Sequence, residues 1–139
     1  MGTTMANTQE PLLGRQILLV EDEYVIAMEM ESWLRGAGAE VIGPVPTVEQ
    51  AIDRIEKAIT LDAAVLDVDL RDGERVYPIA DRLDALSVPY LFATGDIQIG
   101  SELIYRGCIR LEKPVLRIEL LRAVEALVSS SRGTETRSS

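Results

Sequence analysis

Four short apolar segments recur along this chain, and each one ends in a polar side chain that can bind an ion or react. The segments and their endings are 17–20 with Glu21 and Asp22, 63–66 with Asp67, 90–93 with Thr94, and 109–112 with Lys113. Short apolar segments between stretches of helical periodicity are typical of buried parallel strands joined by crossover helices. Because the carboxyl ends of parallel strands lie at one edge of a sheet, we expect these endings to meet there.

The order of elements predicts an α/β fold. Five strand-then-helix units between residues 15 and 129 indicate a flavodoxin-like (βα)5 doubly wound parallel sheet with strand order 2-1-3-4-5. Thr47 and Gln50 form a capping box that opens the second helix. The fourth helix is expected within residues 95–107. Residues 1–14 and 130–139 are polar without periodicity, which predicts a flexible leader and a flexible tail around one domain.

Composition excludes several classes of function. The net charge is −9 and the 14 basic residues are scattered, which argues against nucleic-acid binding. No apolar run approaches the ~20 residues that span a bilayer, and no signal peptide is recognisable, so no membrane contact and a cytoplasmic location are expected. The single Cys108 fits a reducing compartment. The chain has no histidine, which excludes His-based triads and imidazole-ligated zinc. If the function of the chain involves a phosphohistidine, that histidine must belong to another molecule.

The acidic endings predict a divalent cation site. Carboxylates from Glu21, Asp22 and Asp67 held close together would repel one another unless a cation lies between them. Mg²⁺ suits such a site, because it binds few carboxylates, keeps several waters and also binds phosphate oxygens.

The remaining endings suit a phosphoryl group. Asp67, rigid at a strand end, can attack phosphorus and form an aspartyl phosphate. Lys113 can pair with one phosphoryl oxygen and Thr94 can donate a hydrogen bond to another. A cis peptide before Pro114 would fix where the lysine points.

The motifs carrying these residues resemble the receiver domain of two-component response regulators over residues 16–129. They are Val20-Glu21-Asp22, Leu66-Asp67, Ala93-Thr94-Gly95 and Lys113-Pro114. The resemblance implies that Asp67 accepts phosphate from a sensor histidine kinase or histidine phosphotransfer protein. It implies Asp22 as the direct Mg²⁺ ligand, Glu21 acting through water, and the backbone carbonyl of Asp69 completing the metal shell.

The same resemblance implies a mode of signalling. The segment 90–95 resembles the Phe-Ala-Thr-Gly-Tyr subgroup of stand-alone receivers. Such a protein is not an enzyme with its own substrate, although it can promote its own phosphorylation and dephosphorylation. It would signal by relaying phosphate, or by contacting a downstream protein through helix four, strand five and helix five. A homodimer remains open.

Two residues depart from the family pattern, and two other functions are considered. Arg110 stands where the family has an aromatic switch residue, and Asp96 stands where the subgroup has tyrosine. Together with Asp69, Asp96 is expected to alter the lifetime of the phosphorylated form, in a direction left open.

Two functions are alternatives to the phosphorylated receiver. The first alternative is a pseudo-receiver that is never phosphorylated. The second is a small Mg-dependent aspartyl phosphatase of the haloacid dehalogenase type, suggested by Asp67-Val68-Asp69.

Overall fold

Five parallel strands form one sheet in the order β2-β1-β3-β4-β5, which confirms the predicted topology. The computed structural model describes residues 10–68, 70, 75–95 and 108–138. In chain order the elements are β1 (Gln16–Val20), α1 (Tyr24–Gly36), β2 (Glu40–Val45), α2 (Val48–Lys57), β3 (Ala63–Asp67), α3 (Tyr77–Ala85), β4 (Tyr90–Thr94), β5 (Ile109–Glu112) and α4 (Arg117–Ser138). The fourth helix is predicted within residues 95–107, and all of this range except Gly95 lies outside the described residues. The helix labelled α4 is therefore the fifth of the predicted pattern.

The central strands are buried on both faces, which explains why their sequences are continuously apolar. Successive side chains of a strand point to opposite faces of the sheet. One face packs against α1 and α4, and its strand residues include Leu19, Val65 and Leu91. The other face packs against α2 and α3 and includes Leu18, Leu66 and Phe92. Two apolar layers thus hold β1, β3 and β4 in fixed register, and with them the residues at their carboxyl ends.

A bulge in the edge strand β2 lies beside the end of β1. Leu18 pairs with Ile42 and Val20 pairs with Val45, so β2 has one extra residue over this stretch. Gly43 there has φ +104°, and a Cβ at this position would lie 2.8 Å from the Leu19 carbonyl oxygen. Beyond the bulge the Val45 carbonyl accepts a hydrogen bond from the Glu21 amide at 3.1 Å. The bulge therefore lets β2 continue pairing up to Glu21.

The second helix begins as predicted from the sequence. The Thr47 hydroxyl accepts a hydrogen bond from the Gln50 amide at 3.1 Å, which satisfies one of the free amide groups of the first turn of α2.

The ends of the folded region differ from the sequence prediction. Leu12, placed in the flexible leader, is fully buried among core residues. Its amide donates to the Ala37 carbonyl at 2.9 Å, after the end of α1. The pair Leu12-Leu13 in an otherwise polar segment is too short to show the periodicity that would reveal which residue packs. At the other end, the helical backbone of α4 continues to Ser138, beyond the predicted domain limit at residue 129. Elongation of an established helix needs no new nucleation step, which accounts for this continuation.

Among the residues described, none of the helices has both the length and the apolar character needed to cross a bilayer.

Candidate functional site

The carboxyl edge of the sheet brings together the predicted site residues that the structure describes. In the sheet register Val20 lies opposite Leu66, so Glu21 follows β1 where Asp67 ends β3. Asp67 lies opposite Ala93, one residue before Thr94. The Lys113 amide donates to the Thr94 carbonyl at 2.8 Å, which fixes the end of β5 to the end of β4. Asp69, predicted to supply a backbone carbonyl, lies outside the described residues.

Three carboxyl groups form a cluster at this edge. One carboxylate oxygen from each of Glu21, Asp22 and Asp67 lies within 4.8 Å of the others. Glu21 and Asp67 are only 3% and 4% exposed. Buried like charges at this separation are unfavourable unless a cation or a proton neutralises them. Their oxygen donors match the preference of Mg²⁺, so the residues fit such an ion.

The Lys113 ammonium group supplies one positive charge to this cluster. Its Nζ lies 3.1 Å from Glu21 Oε1 and 3.3 Å from Asp67 Oδ1. The Lys113–Pro114 peptide is cis, as expected from the sequence. Burial alone would lower the pKa of this ammonium group, but Glu21 and Asp67 outweigh burial and hold the pKa above its usual value. Lys113 is therefore a fixed cation beside Asp67.

Glu21 retains capacity for a further ligand. Its Oε2 accepts a hydrogen bond from the Glu23 amide at 3.2 Å. From the residues that the structure describes, its buried Oε1 accepts no hydrogen bond of good geometry, although the Lys113 ammonium lies nearby. A buried carboxylate oxygen in this state is suited to receive a donor such as a metal-bound water.

One Lys113 ammonium cannot neutralise the whole cluster, and the consequence is visible at Asp67. Burial, followed by the nearby Glu21 charge, raises the pKa of the Asp67 carboxyl to about 8, against the opposing effect of Lys113. Without a metal, Asp67 therefore holds a proton through much of the neutral range. A divalent cation at the site would reverse this effect and favour the carboxylate.

Thr94 completes the set predicted from the sequence. It is 1% exposed and ends β4, immediately beside the strand that ends in Asp67. Because Lys113 follows β5 on the other side of Thr94, the hydroxyl-bearing residue lies between the acid and amine strands.

Two further residues near the site are not explained by the predicted set. Glu23 is a site residue that the sequence analysis missed, and its Oε1 lies 3.6 Å from Lys113 Nζ. The run Glu21-Asp22-Glu23 was a visible signal, but helix α1 starts directly afterwards and Glu23 reads as an ordinary acid at a helix start. Arg110 lies opposite Phe92 in the sheet and is half-buried. It lies on β5, an edge strand of the sheet.

Comparison with known proteins agrees with this fold. No family model matches the chain. Over 83 residues the chain is 31% identical to the phyllosphere-induced regulator PhyR of Methylorubrum extorquens. That match covers 59% of this chain and spans about a third of the relative, 31% of its length.

Solved structures match over more of their length. The solution structure of SdrG from Sphingomonas melonis is 39% identical, with a TM-score of 0.73, covering 83% of this chain and 97% of that one. The receiver domain of a sensor histidine kinase of Pseudomonas aeruginosa is 28% identical, with a TM-score of 0.72 over 84% and 98% of the two chains. That structure has a magnesium ion coordinated in its active-site cleft. From the sheet order, the strand endings and these similarities, the chain belongs to the receiver domains of two-component response regulators.

Proposed function

We propose that this protein accepts a phosphoryl group on Asp67 in the presence of Mg²⁺ and signals through the resulting phosphorylated form. The observation that carries the proposal is the buried carboxyl cluster of Glu21, Asp22 and Asp67 in contact with Lys113. A structural ion pair needs one acid and one base, whereas this cluster has an excess of acid at the edge where sheets of this type bind ligands.

The metal would be held by Asp22 and Asp67, with Glu21 contributing through water and the Asp69 carbonyl completing the shell. When bound, Mg²⁺ supplies positive charge that offsets the carboxylates and the phosphoryl oxygens. The magnesium ion in the related Pseudomonas aeruginosa receiver domain supports this assignment.

Asp67 acts as the nucleophile. One of its carboxylate oxygens forms the new O–P bond as the N–P bond of a phosphohistidine breaks, and the electron pair of that bond remains on the imidazole nitrogen, which takes up a proton. Attack requires ionised Asp67, and the raised pKa of this carboxyl means that the group becomes reactive mainly when a cation neutralises the site. Loss of the phosphoryl group to water returns the protein to its resting form.

Lys113 and Thr94 bind the transferred group. The ammonium group of Lys113 lies 3.3 Å from Asp67 Oδ1 and can shift to a phosphoryl oxygen once Asp67 is phosphorylated. The Thr94 hydroxyl donates to a second phosphoryl oxygen. Exchange of carboxylate for phosphoryl contacts at these two residues is the local change that would bias the protein between two conformations.

The proposed phosphoryl donor is a phosphohistidine outside this chain, which has no histidine of its own. A sensor histidine kinase or a histidine phosphotransfer protein has the required chemistry. The output is a protein contact or a further phosphate transfer, through the surface around β5 and α4. The net charge of −9 disfavours a nucleic-acid target.

Intact-mass spectrometry tests the proposal. Incubation with acetyl phosphate and Mg²⁺ should add one phosphoryl group to the wild type and to Asp53→Asn, which removes an exposed acid paired with Lys57. Asp67→Asn should gain none. Sustained hydrolysis of a generic phosphate ester, lost in Asp67→Asn, would instead favour the aspartyl phosphatase. No modification by acetyl phosphate or by a panel of phosphorylated histidine donors would favour the pseudo-receiver.

A further inference from the structure

The carboxylate of Glu23 differs from the other acids around Lys113 in its exposure. The side chains of Glu21 and Asp67 are 1% and 5% exposed, whereas that of Glu23 is 61% exposed. All three reach the same ammonium group, with Glu23 Oε1 at 3.6 Å. Glu23 therefore contacts Lys113 from the solvent side, and the other two contact it from inside.

This contact does not serve the helix that follows. Glu23 occupies the N-cap position of α1, but its side chain accepts no capping hydrogen bond. Its backbone alone makes the local contacts, since its amide donates to Glu21 and its carbonyl accepts from the Ala27 amide at 2.8 Å. The carboxylate is thus free of the usual N-cap role and is directed to the lysine.

We infer that Glu23 is a positioning residue that restrains phosphoryl binding at Asp67 by holding the Lys113 ammonium towards solvent and by repelling anions that enter the site. The inference rests on the proposed function, in which Lys113 must transfer its contacts to phosphoryl oxygens. Any contact that Lys113 keeps with Glu23 competes with this transfer. A phosphoryl donor also carries negative charge and approaches from the solvent side, where the Glu23 carboxylate lies.

Removing this charge should favour phosphorylation. At saturating Mg²⁺, Glu23→Gln should be phosphorylated by acetyl phosphate roughly two- to fivefold faster than the wild type, which is the effect typical of one exposed ion pair. Glu23→Lys, which reverses the charge, should be faster again. Beryllofluoride, an anionic phosphoryl analogue, should bind more tightly to the variants in the same order by calorimetry. The effect should shrink in about 1 M salt, where charges more than about 3 Å apart are screened.

A matched control separates this effect from a general loss of acid. Asp53→Asn also removes an exposed carboxylate that pairs with a lysine, at 3.2 Å, but on α2. We expect its phosphorylation rate and beryllofluoride affinity to equal those of the wild type at both salt concentrations.

The outcomes distinguish this inference from the proposed function. If the wild type is neither phosphorylated nor binds beryllofluoride, the proposed function is wrong. If the wild type reacts and Glu23→Gln reacts at the same rate, the inference is wrong while the proposed function stands. If Glu23→Gln lowers the unfolding temperature and leaves the phosphorylation rate unchanged, Glu23 only stabilises α1 through its charge near the helix start. If the phosphorylation rate changes equally at low and high salt, the electrostatic explanation is wrong.

Discussion

Replacing Asp67 by Asn should stabilise the metal-free protein at neutral pH. The folded protein raises the pKa of Asp67 to about 8, above its ordinary value of 3.8. Between these two values the folded state binds more protons than the unfolded state, so the free energy of unfolding falls as the pH rises through this window. Asparagine has nearly the same shape but no charge to bury, so the variant avoids this pH-dependent loss.

The size of the effect follows from the same pKa difference. Each pKa unit corresponds to about 1.4 kcal/mol, so at pH 7 the burial of ionisable Asp67 destabilises the fold by at most about 4 kcal/mol. This figure already includes the opposing effect of Lys113, and asparagine still buries a polar amide at the site, which offsets part of the gain. We therefore expect a net stabilisation of about 2 kcal/mol, or roughly 6 °C in the unfolding midpoint of a domain this size.

Urea unfolding in the presence of a chelator measures this prediction. The variant should exceed the wild type by about 2 kcal/mol near pH 7.5 and should lose that advantage towards pH 3, below the ordinary pKa of the carboxyl, where Asp67 is mostly protonated in both states. Added Mg²⁺ should stabilise the wild type more than the variant, because the metal binds the carboxylate. A variant that is less stable than the wild type by the same amount at both pH values would refute the assignment of Asp67 as a destabilised buried acid.

Three further predictions concern the cation site, the lysine and the leader. Mg²⁺ should bind more tightly as the pH rises from about 6 to 8, because the pKa of Asp67 is raised in the free site and the metal displaces its proton. Calorimetry in two buffers detects the released protons, and a Mg²⁺ affinity that does not depend on pH would contradict this prediction. Lys113→Ala should weaken beryllofluoride binding at least tenfold and tighten Mg²⁺ binding, because the ammonium group attracts anions and repels cations at the site. If the variant instead binds both beryllofluoride and Mg²⁺ more weakly, its fold is disrupted. Leu12→Ala should lower the free energy of unfolding by about 2–4 kcal/mol, whereas Leu13→Ala, at a 61% exposed position, should change it by less than about 0.5 kcal/mol. Equal effects of the two substitutions would contradict the packing of Leu12 in the core.

The sheet and most of the site could be predicted from the sequence because strand burial and site position depend on the same pattern. Central strands covered on both faces must be continuously apolar, so the first polar residue marks the carboxyl end of each strand. That rule located Asp67 at the end of β3 and Thr94 at the end of β4. Parallel pairing then required these endings to meet, whatever their distance along the chain.

Features that depend on side-chain packing across the fold could not be predicted in this way. The burial of Leu12 depends on a core cluster that includes residues of α1, α4 and the sheet, which no local pattern reveals. The contact between Glu23 and Lys113 depends on how the first turn of α1 is placed against the end of β5. The bulge at Gly43 depends on the register between β1 and β2, although its Gly-Pro sequence was a visible sign of irregular backbone.

Chemical mapping of the phosphorylated residue shows whether Asp67 is the phosphoryl acceptor. Borohydride reduces an aspartyl phosphate to homoserine, and peptide mass spectrometry locates the reduced residue. After incubation with acetyl phosphate and Mg²⁺, the account predicts homoserine at position 67 and its absence when Mg²⁺ is chelated. Homoserine at another acid, or an unmodified protein under conditions that label a known receiver domain, would contradict it.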